Sequence, residues 1–179
     1  LGYIGKSRLR MKTIKEQQRT YLENIISNAD YEFLKSHLGM EKNRTWYFAV
    51  RFLAAIGARI SELIHLKAEH IRVGYFDIYT KGGKVRRIYI PKQLSTEATE
   101  WLSEQSRSSG YVFLNQYGQR LTTRGIAQQL KNYARKYGMN EKVVYPHSFR
   151  HRFAKNFLDR FNDISLLADL MGHESIETT

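Results

Sequence analysis

At 179 residues the chain is long enough for one domain with its own hydrophobic core, and 29 Lys and Arg against 17 Asp and Glu leave a formal charge of +12. That excess, with 13% aromatic residues, favours a polyanionic partner such as nucleic acid over a small neutral ligand, although ribosomal and membrane-surface proteins share such a balance. No apolar run approaches the roughly 20 residues of a membrane span, no signal peptide opens the chain, and the absence of cysteine excludes disulfides and thiolate metal sites, so an intracellular protein is expected.

The chain starts at Leu1, which is expected of a fragment or processed piece. Residues 1–12 carry Lys6, Arg8, Arg10 and Lys12 and read as a basic linker or arm lying on a phosphate backbone, or equally as a solvated tail. From residue 13 to about 27, Ile14, Tyr21, Leu22, Ile25 and Ile26 predict an amphipathic helix, and residues 31–38 a second short one closed by Gly39. Trp46, Phe48, Val50 and residues 52–56 predict a helix apolar on most sides, as a central core helix is, interrupted at Gly57. Beyond it Leu63 and Leu66 face the core, while Arg59 and Glu62 form an i, i+3 pair. On local grounds that pair is either an anchored arginine or a surface ion pair of little energetic worth.

Residues 71–80 and 85–90 predict two strands joined at Lys81-Gly82-Gly83-Lys84, where Gly-Gly supplies the positive φ of a tight hairpin. This places Lys81 and Lys84, with Arg86 and Arg87 just behind, on a basic finger able to enter a groove or reach a phosphate; lysines also decorate ordinary hairpins. Residues 93–106 predict a helix with Leu94, Ala98, Trp101 and Leu102 inward, stopped by Ser108-Ser109-Gly110, and residues 111–114 a short apolar piece before a turn at Gly118. A cap at Thr122 or Thr123 opens a helix to about Tyr137, with Ile126, Leu130, Tyr133, Ala134 and Tyr137 on one face. Lys131, Arg135 and Lys136 face out, a basic surface that either lies across DNA or is simply solvated. Ile164, Leu167, Leu170 and Met171 make a last helix ended by Gly172, and His173 follows at once.

The stretch from Tyr145 to Ala154 concentrates the chemistry. Pro146 fixes its own φ and keeps Tyr145 out of helical geometry, so a helix begins at about His147. Phe149, Phe153, Phe157 and Phe161, with Ala154 and Leu158, recur as one buried face, whereas His147, Arg150 and His151 share another. Cationic groups on a first turn oppose the helix dipole, and a bound phosphate would remove that conflict; a solvated basic face is the plainer alternative. The i, i+4 spacing of His147 and His151 also suits a metal ion, but Arg150 lies between them and neither Ser148 nor a cysteine completes a ligand set.

The blocks Ala58-Arg59-Ile60-Ser61-Glu62-Leu63, Thr80-Lys81-Gly82-Gly83-Lys84-Val85-Arg86, His147-Ser148-Phe149-Arg150-His151 and Leu170-Met171-Gly172-His173, in this order and at these separations, resemble the catalytic domain of the tyrosine recombinases, the phage-integrase type. The resemblance implies an α+β fold, mostly helical with a small antiparallel hairpin at one edge, spanning residues 13–179. It implies that Arg59 and Arg150 grip the non-bridging oxygens of a scissile phosphate, that Glu62 orients the site, and that Lys81 protonates the departing 5′-hydroxyl, with Lys84 the nearby alternative. His147 would assist proton transfer from the nucleophile, His173 would hydrogen-bond the phosphate, and His151 would support Arg150. Lys84, Arg86, Arg87, Lys131 and Arg135 would contact DNA. Two guanidiniums, a lysine acid and two imidazoles can replace a metal in phosphoryl transfer, so no metal or nucleotide cofactor is implied. A 3′-phosphotyrosyl intermediate conserves the bond energy and lets a second DNA end religate without ATP. The implied partner is double-stranded DNA in the cytoplasm, at the nucleoid, bound by a homotetramer on two duplexes during integration or excision of a mobile element.

One departure stands out. The family's nucleophilic tyrosine would fall just beyond Thr179, and none of the twelve tyrosines present occupies its place; Tyr145 precedes His147 and reads as packing. Without that residue and the family's amino-terminal core-binding domain, the chain as given is expected to be monomeric and to bind DNA without covalent cleavage. The rival readings are a non-catalytic DNA-binding regulator, a type IB topoisomerase and a Mg²⁺-dependent nuclease.

Overall fold

The computed structural model describes residues 24–172, so the expected arm at residues 1–12 and most of the amphipathic segment at 13–27 lie outside the described residues. Ser27 turns the chain into α1 (Asn28–Met40) from an extended backbone, its Oγ accepting the Asp30 N–H at 3.0 Å. Tyr31, Leu34 and Leu38 are the buried stripe of that helix; Gly39 does not close it but sits inside its last turn. α2 (Arg44–Ala55) is buried at Phe48, Ala49, Val50, Phe52, Leu53 and Ala54, nearly all round, because α1, α5 and α7 pack against it. Trp101 stacks on Phe48 with ring centroids 4.7 Å apart and Phe113 meets Phe52 edge-on at 5.8 Å, which ties the central helix to the segments that follow the hairpin.

After the single turn α3 (Ile60–Leu63) comes α4 (Ala68–Val73), where the sequence had suggested the start of a strand. Ile71 and Val73 are β-branched, but Gly74 takes φ 84° and accepts the role of left-handed helix stop, its N–H bonding back to the His70 and Ile71 carbonyls. The strand is therefore confined to β1 (Tyr75–Tyr79), paired antiparallel with β2 (Val85–Tyr89) in the register Tyr75↔Tyr89 to Tyr79↔Val85. The turn between them closes through Thr80 N–H to Lys84 O at 2.8 Å. Phe76 and Ile88 are cross-strand partners and both are buried, so one face of the two-stranded sheet belongs to the core.

α5 (Lys92–Glu104) buries Leu94, Ala98, Trp101 and Leu102, as its periodicity requires, and α6 (Thr123–Lys136) is capped by Thr122, whose Oγ1 accepts the Gly125 N–H at 3.0 Å. α7 (Pro146–Phe161) starts with Pro146 in its first turn, and α8 (Ile164–Met171) starts at Asp163 and ends at Gly172 with φ 67°. Only the first part of the expected phenylalanine face of α7 is deeply buried: Phe149 is sealed, Phe153 and Phe157 are half-buried, and Phe161 is 57% exposed. Among the described residues no helix is long and apolar enough to cross a membrane.

Candidate active site

Four segments meet at one place: the loop from Gly57 into α3, the inner face of β2, the first turns of α7 and the end of α8. Arg150 is the clamp. It is 4% exposed, and its guanidinium donates to the carbonyl of Gly57 and, at 2.7 Å, to that of Met171. Arg59 stands two residues beyond Gly57, so Arg150 holds the very loop that presents Arg59. Gly57 is required there: it takes φ 62°, and a Cβ on it would lie 2.5 Å from the Phe153 ring.

Arg59 is the residue before α3, in extended conformation, with its side chain 39% exposed. Glu62 reaches back from the first turn. Its Oε2 accepts the Arg59 N–H at 2.7 Å and its Oε1 the Arg59 guanidinium at 3.2 Å, so the i, i+3 pair seen in the sequence forms. It is not the loose surface contact that was the alternative, because Glu62 is 8% exposed and shares Oε1 with Arg86 as well. Burial alone would raise the Glu62 carboxyl. The bond from Arg86, the Arg59 N–H and the two guanidinium charges more than offset this and hold it below the ordinary glutamate range.

Arg86 is the principal correction to the expected basic finger. It is 7% exposed, bonded to Glu62 and, at 2.8 Å, to the Leu170 carbonyl, and so faces the interior rather than a DNA groove. Strand alternation explains this: Arg86 lies on the same face as Ile88 and Ile90, both buried, while Val85, Arg87 and Tyr89 point out. Arg87 is on the surface but engaged, bonded to both Asp77 oxygens at 2.8 and 3.0 Å with its guanidinium 3.8 Å from the Tyr75 ring centroid. Arg135 is likewise held by both Glu141 oxygens, at 2.7 and 2.9 Å. Lys131 is exposed on the same helix face.

Lys81 and Lys84 are exposed in the turn that joins β1 to β2. His147 is exposed on the first turn of α7, its ring 6.2 Å from that of the half-buried His151. His173 lies outside the described residues, directly after Gly172. The structure thus brings together Arg59, Glu62 and Arg150, sets His147 and His151 on the helix that carries Arg150, and leaves Lys81 exposed in the hairpin turn. Sequence reasoning missed the interior role of Arg86, for which strand alternation was the available signal. It also missed Ser148, fully buried, whose Oγ accepts the Ile26 N–H at 2.6 Å and moors the start of the described chain to α7.

Residues 22–179 match the phage integrase family. The chain belongs to that family. This phage integrase family member is 34% identical over 167 residues to the tyrosine recombinase XerD of Listeria innocua, an alignment that covers 88% of the chain and 54% of XerD, so the chain spans about half the length of that relative. Its fold is that of a crystal structure of XerA recombinase, with a TM-score of 0.73 at 23% identity over 86% of this chain and 56% of that one. It also matches XerH site-specific recombinase bound to its difH substrate in a pre-cleavage complex, with a TM-score of 0.68 at 22% identity over 87% of this chain and 48% of that one. The expected α+β class, mostly helical with a small antiparallel hairpin, holds.

Proposed function

We propose that this domain is the catalytic part of a site-specific DNA recombinase that cleaves and rejoins strands through a 3′-phosphotyrosyl intermediate. The observation that carries this reading is the single clamp in which buried Arg150 bonds the Gly57 carbonyl and so fixes the loop bearing the partly exposed Arg59. Two guanidiniums placed by the fold before any ligand arrives are what stabilising the extra charge of a five-coordinate phosphorus requires, since donors already oriented need no reorganisation as the charge develops. In this scheme Glu62 orients Arg59, and His147, with His151 beside it, assists proton transfer from a tyrosine supplied from beyond the described residues. His173 bonds the phosphate. Lys81, at the exposed tip of the hairpin, reaches the leaving 5′-oxygen when DNA draws the hairpin in, with Lys84 next to it.

The proposed partner is double-stranded DNA, and the proposed assembly a tetramer on two duplexes. XerH was crystallised on its difH substrate, and the exposed Lys131 and the net charge of +12 suit a phosphate backbone. No metal takes part in this scheme. The test is to incubate the complete gene product with nicked suicide duplexes drawn from DNA flanking the gene, in EDTA. A covalent protein adduct on the 3′-phosphate of the cleaved strand is expected, with the short 5′-hydroxyl fragment released at the nick, and it should be lost in Arg59→Ala and Arg150→Ala. Binding without any adduct would leave a DNA-binding regulator and overturn the recombinase reading.

A further inference from the structure

The inner face of β2 holds a charged group that the reaction scheme above does not use. Arg86 is buried, yet it lies between the two arms of the site: NH2 bonds the Glu62 Oε1 that also takes the Arg59 guanidinium, and NH1 bonds the Leu170 carbonyl at 2.8 Å, two residues before the end of α8 at Gly172. The fit is close on the far side too. An ideal Cβ on Gly172 would come within 2.5 Å of Arg86 Nε and 2.7 Å of its Cδ, so the end of α8 rests directly on the guanidinium. Arg150 bonds the next carbonyl, that of Met171, so the two buried arginines grip consecutive peptide groups of the same helix end.

Charge sharing gives this arrangement a consequence. Glu62 carries one negative charge and faces two cations. With Arg86 in place, its Oε1 is divided between them, and Arg59 keeps the rest of its fork for an incoming anion. With Arg86 removed, a carboxylate that is almost fully buried has Arg59 as its remaining ion-pair partner, and Arg59 is drawn back onto it. We infer that Arg86 is a positioning residue of the proposed cleavage site: by sharing Glu62 with Arg59 and pinning the end of α8 through Leu170, it sets both the reach of Arg59 and the position of the α8 terminus at Gly172.

This inference rests on the recombinase reading, and the experiment separates the two. In the complete gene product, Arg86→Met, Arg86→Lys, Glu62→Gln and the double variant Glu62→Gln/Arg86→Met are compared by single-turnover adduct formation on a suicide duplex, by DNA affinity at fixed salt and by thermal unfolding. Arg86→Met is expected to slow adduct formation at least tenfold with DNA affinity within about twofold of wild type. Arg86→Lys, which keeps the charge but cannot span both Glu62 and Leu170, should recover part of the rate. The rate losses of Glu62→Gln and Arg86→Met should not multiply in the double variant, because both act on Arg59 through one carboxylate. A wild-type protein that gives no adduct overturns the recombinase reading and this role with it. Wild-type adduct formation that persists undiminished in folded Arg86→Met and Arg86→Lys, or losses that multiply fully, overturns the role of Arg86 alone.

Discussion

Substituting Gly57 by alanine probes the loop that Arg150 holds and that carries Arg59. The substitution places an L side chain at φ 62°, which costs about 1–2 kcal/mol in the left-handed region. It also sets the new Cβ 2.5 Å from Phe153 Cδ1 and 2.6 Å from Cε1. Both distances are far inside van der Waals contact, and relieving them requires Phe153 to leave its rotamer or the loop to back away, an overpacking cost of about 1–3 kcal/mol. A combined loss near 3 kcal/mol would lower the melting temperature of a domain this size by about 6–12 °C. Urea unfolding gives the free energy, and a cycle with Phe153→Ala separates the two contributions. In the Phe153→Ala background the ring is gone and only the backbone cost remains, so Gly57→Ala should be milder there by about 1–3 kcal/mol. If Gly57→Ala stays within about 0.5 kcal/mol of wild type, or costs the same with and without the Phe153 ring, the close approach is not a constraint and the account of the Arg59 loop fails.

Three further outcomes follow from single contacts. Ser148→Ala leaves the buried Ile26 N–H without its acceptor and should cost about 1–3 kcal/mol in urea unfolding, with Ser148→Thr closer to wild type if the hydroxyl is what matters. Because Glu62 titrates below the ordinary glutamate range when folded, its contribution to stability is complete above the unfolded value and disappears as pH falls through the folded one; the stability gap between wild type and Glu62→Gln should therefore be widest near neutrality and close progressively below about pH 4. In DNA binding, Lys131→Ala should reduce the slope of log K against log salt by about 0.9, while Arg135→Ala, which removes a cation already neutralised by Glu141, should change it by clearly less; equal slopes for the two would refute the distinction.

Much of the fold was legible because its signals were local. The Thr122 cap, the inward positions of α5 and α6, the Pro146 start of α7 and the Gly172 stop of α8 each depend on a few neighbouring residues. The errors arose where local preference and tertiary context disagree. Ile71 and Val73 favour a strand by side-chain shape, but Ile71 is fully buried among helices and Gly74 terminates the turn that carries it, so packing decided for α4. The α7 phenylalanines have the period of a buried face along its whole length, yet burial needs a neighbour. Among the described residues the neighbours of α7 cover Phe149 and thin out toward Phe161.

The site was legible as a set of residue types and not as an arrangement of charges. A net charge of +12 invites assigning every surface arginine to DNA, but charge is a sum and contact is a matter of which cations remain unspent. Here Arg87 is committed to Asp77, Arg135 to Glu141 and Lys136 to Glu41, and Arg86 is committed inward to Glu62. Each of those pairs joins residues at least six positions apart, too far for helix-neighbour spacing to reveal. The Arg59–Glu62 pair, at i, i+3, was the exception and was visible. What distinguishes Arg59 from Arg87, Arg135 and Lys136 is that its carboxylate is shared with a second arginine, so that one negative charge anchors two cations and neutralises neither completely; what distinguishes it from Arg86, the other sharer, is that its side chain is 39% exposed. In the proposed scheme a phosphate arriving at Arg59 would therefore meet a guanidinium that is already placed and still under-compensated, which is the electrostatic condition for holding an anion more tightly as its charge grows.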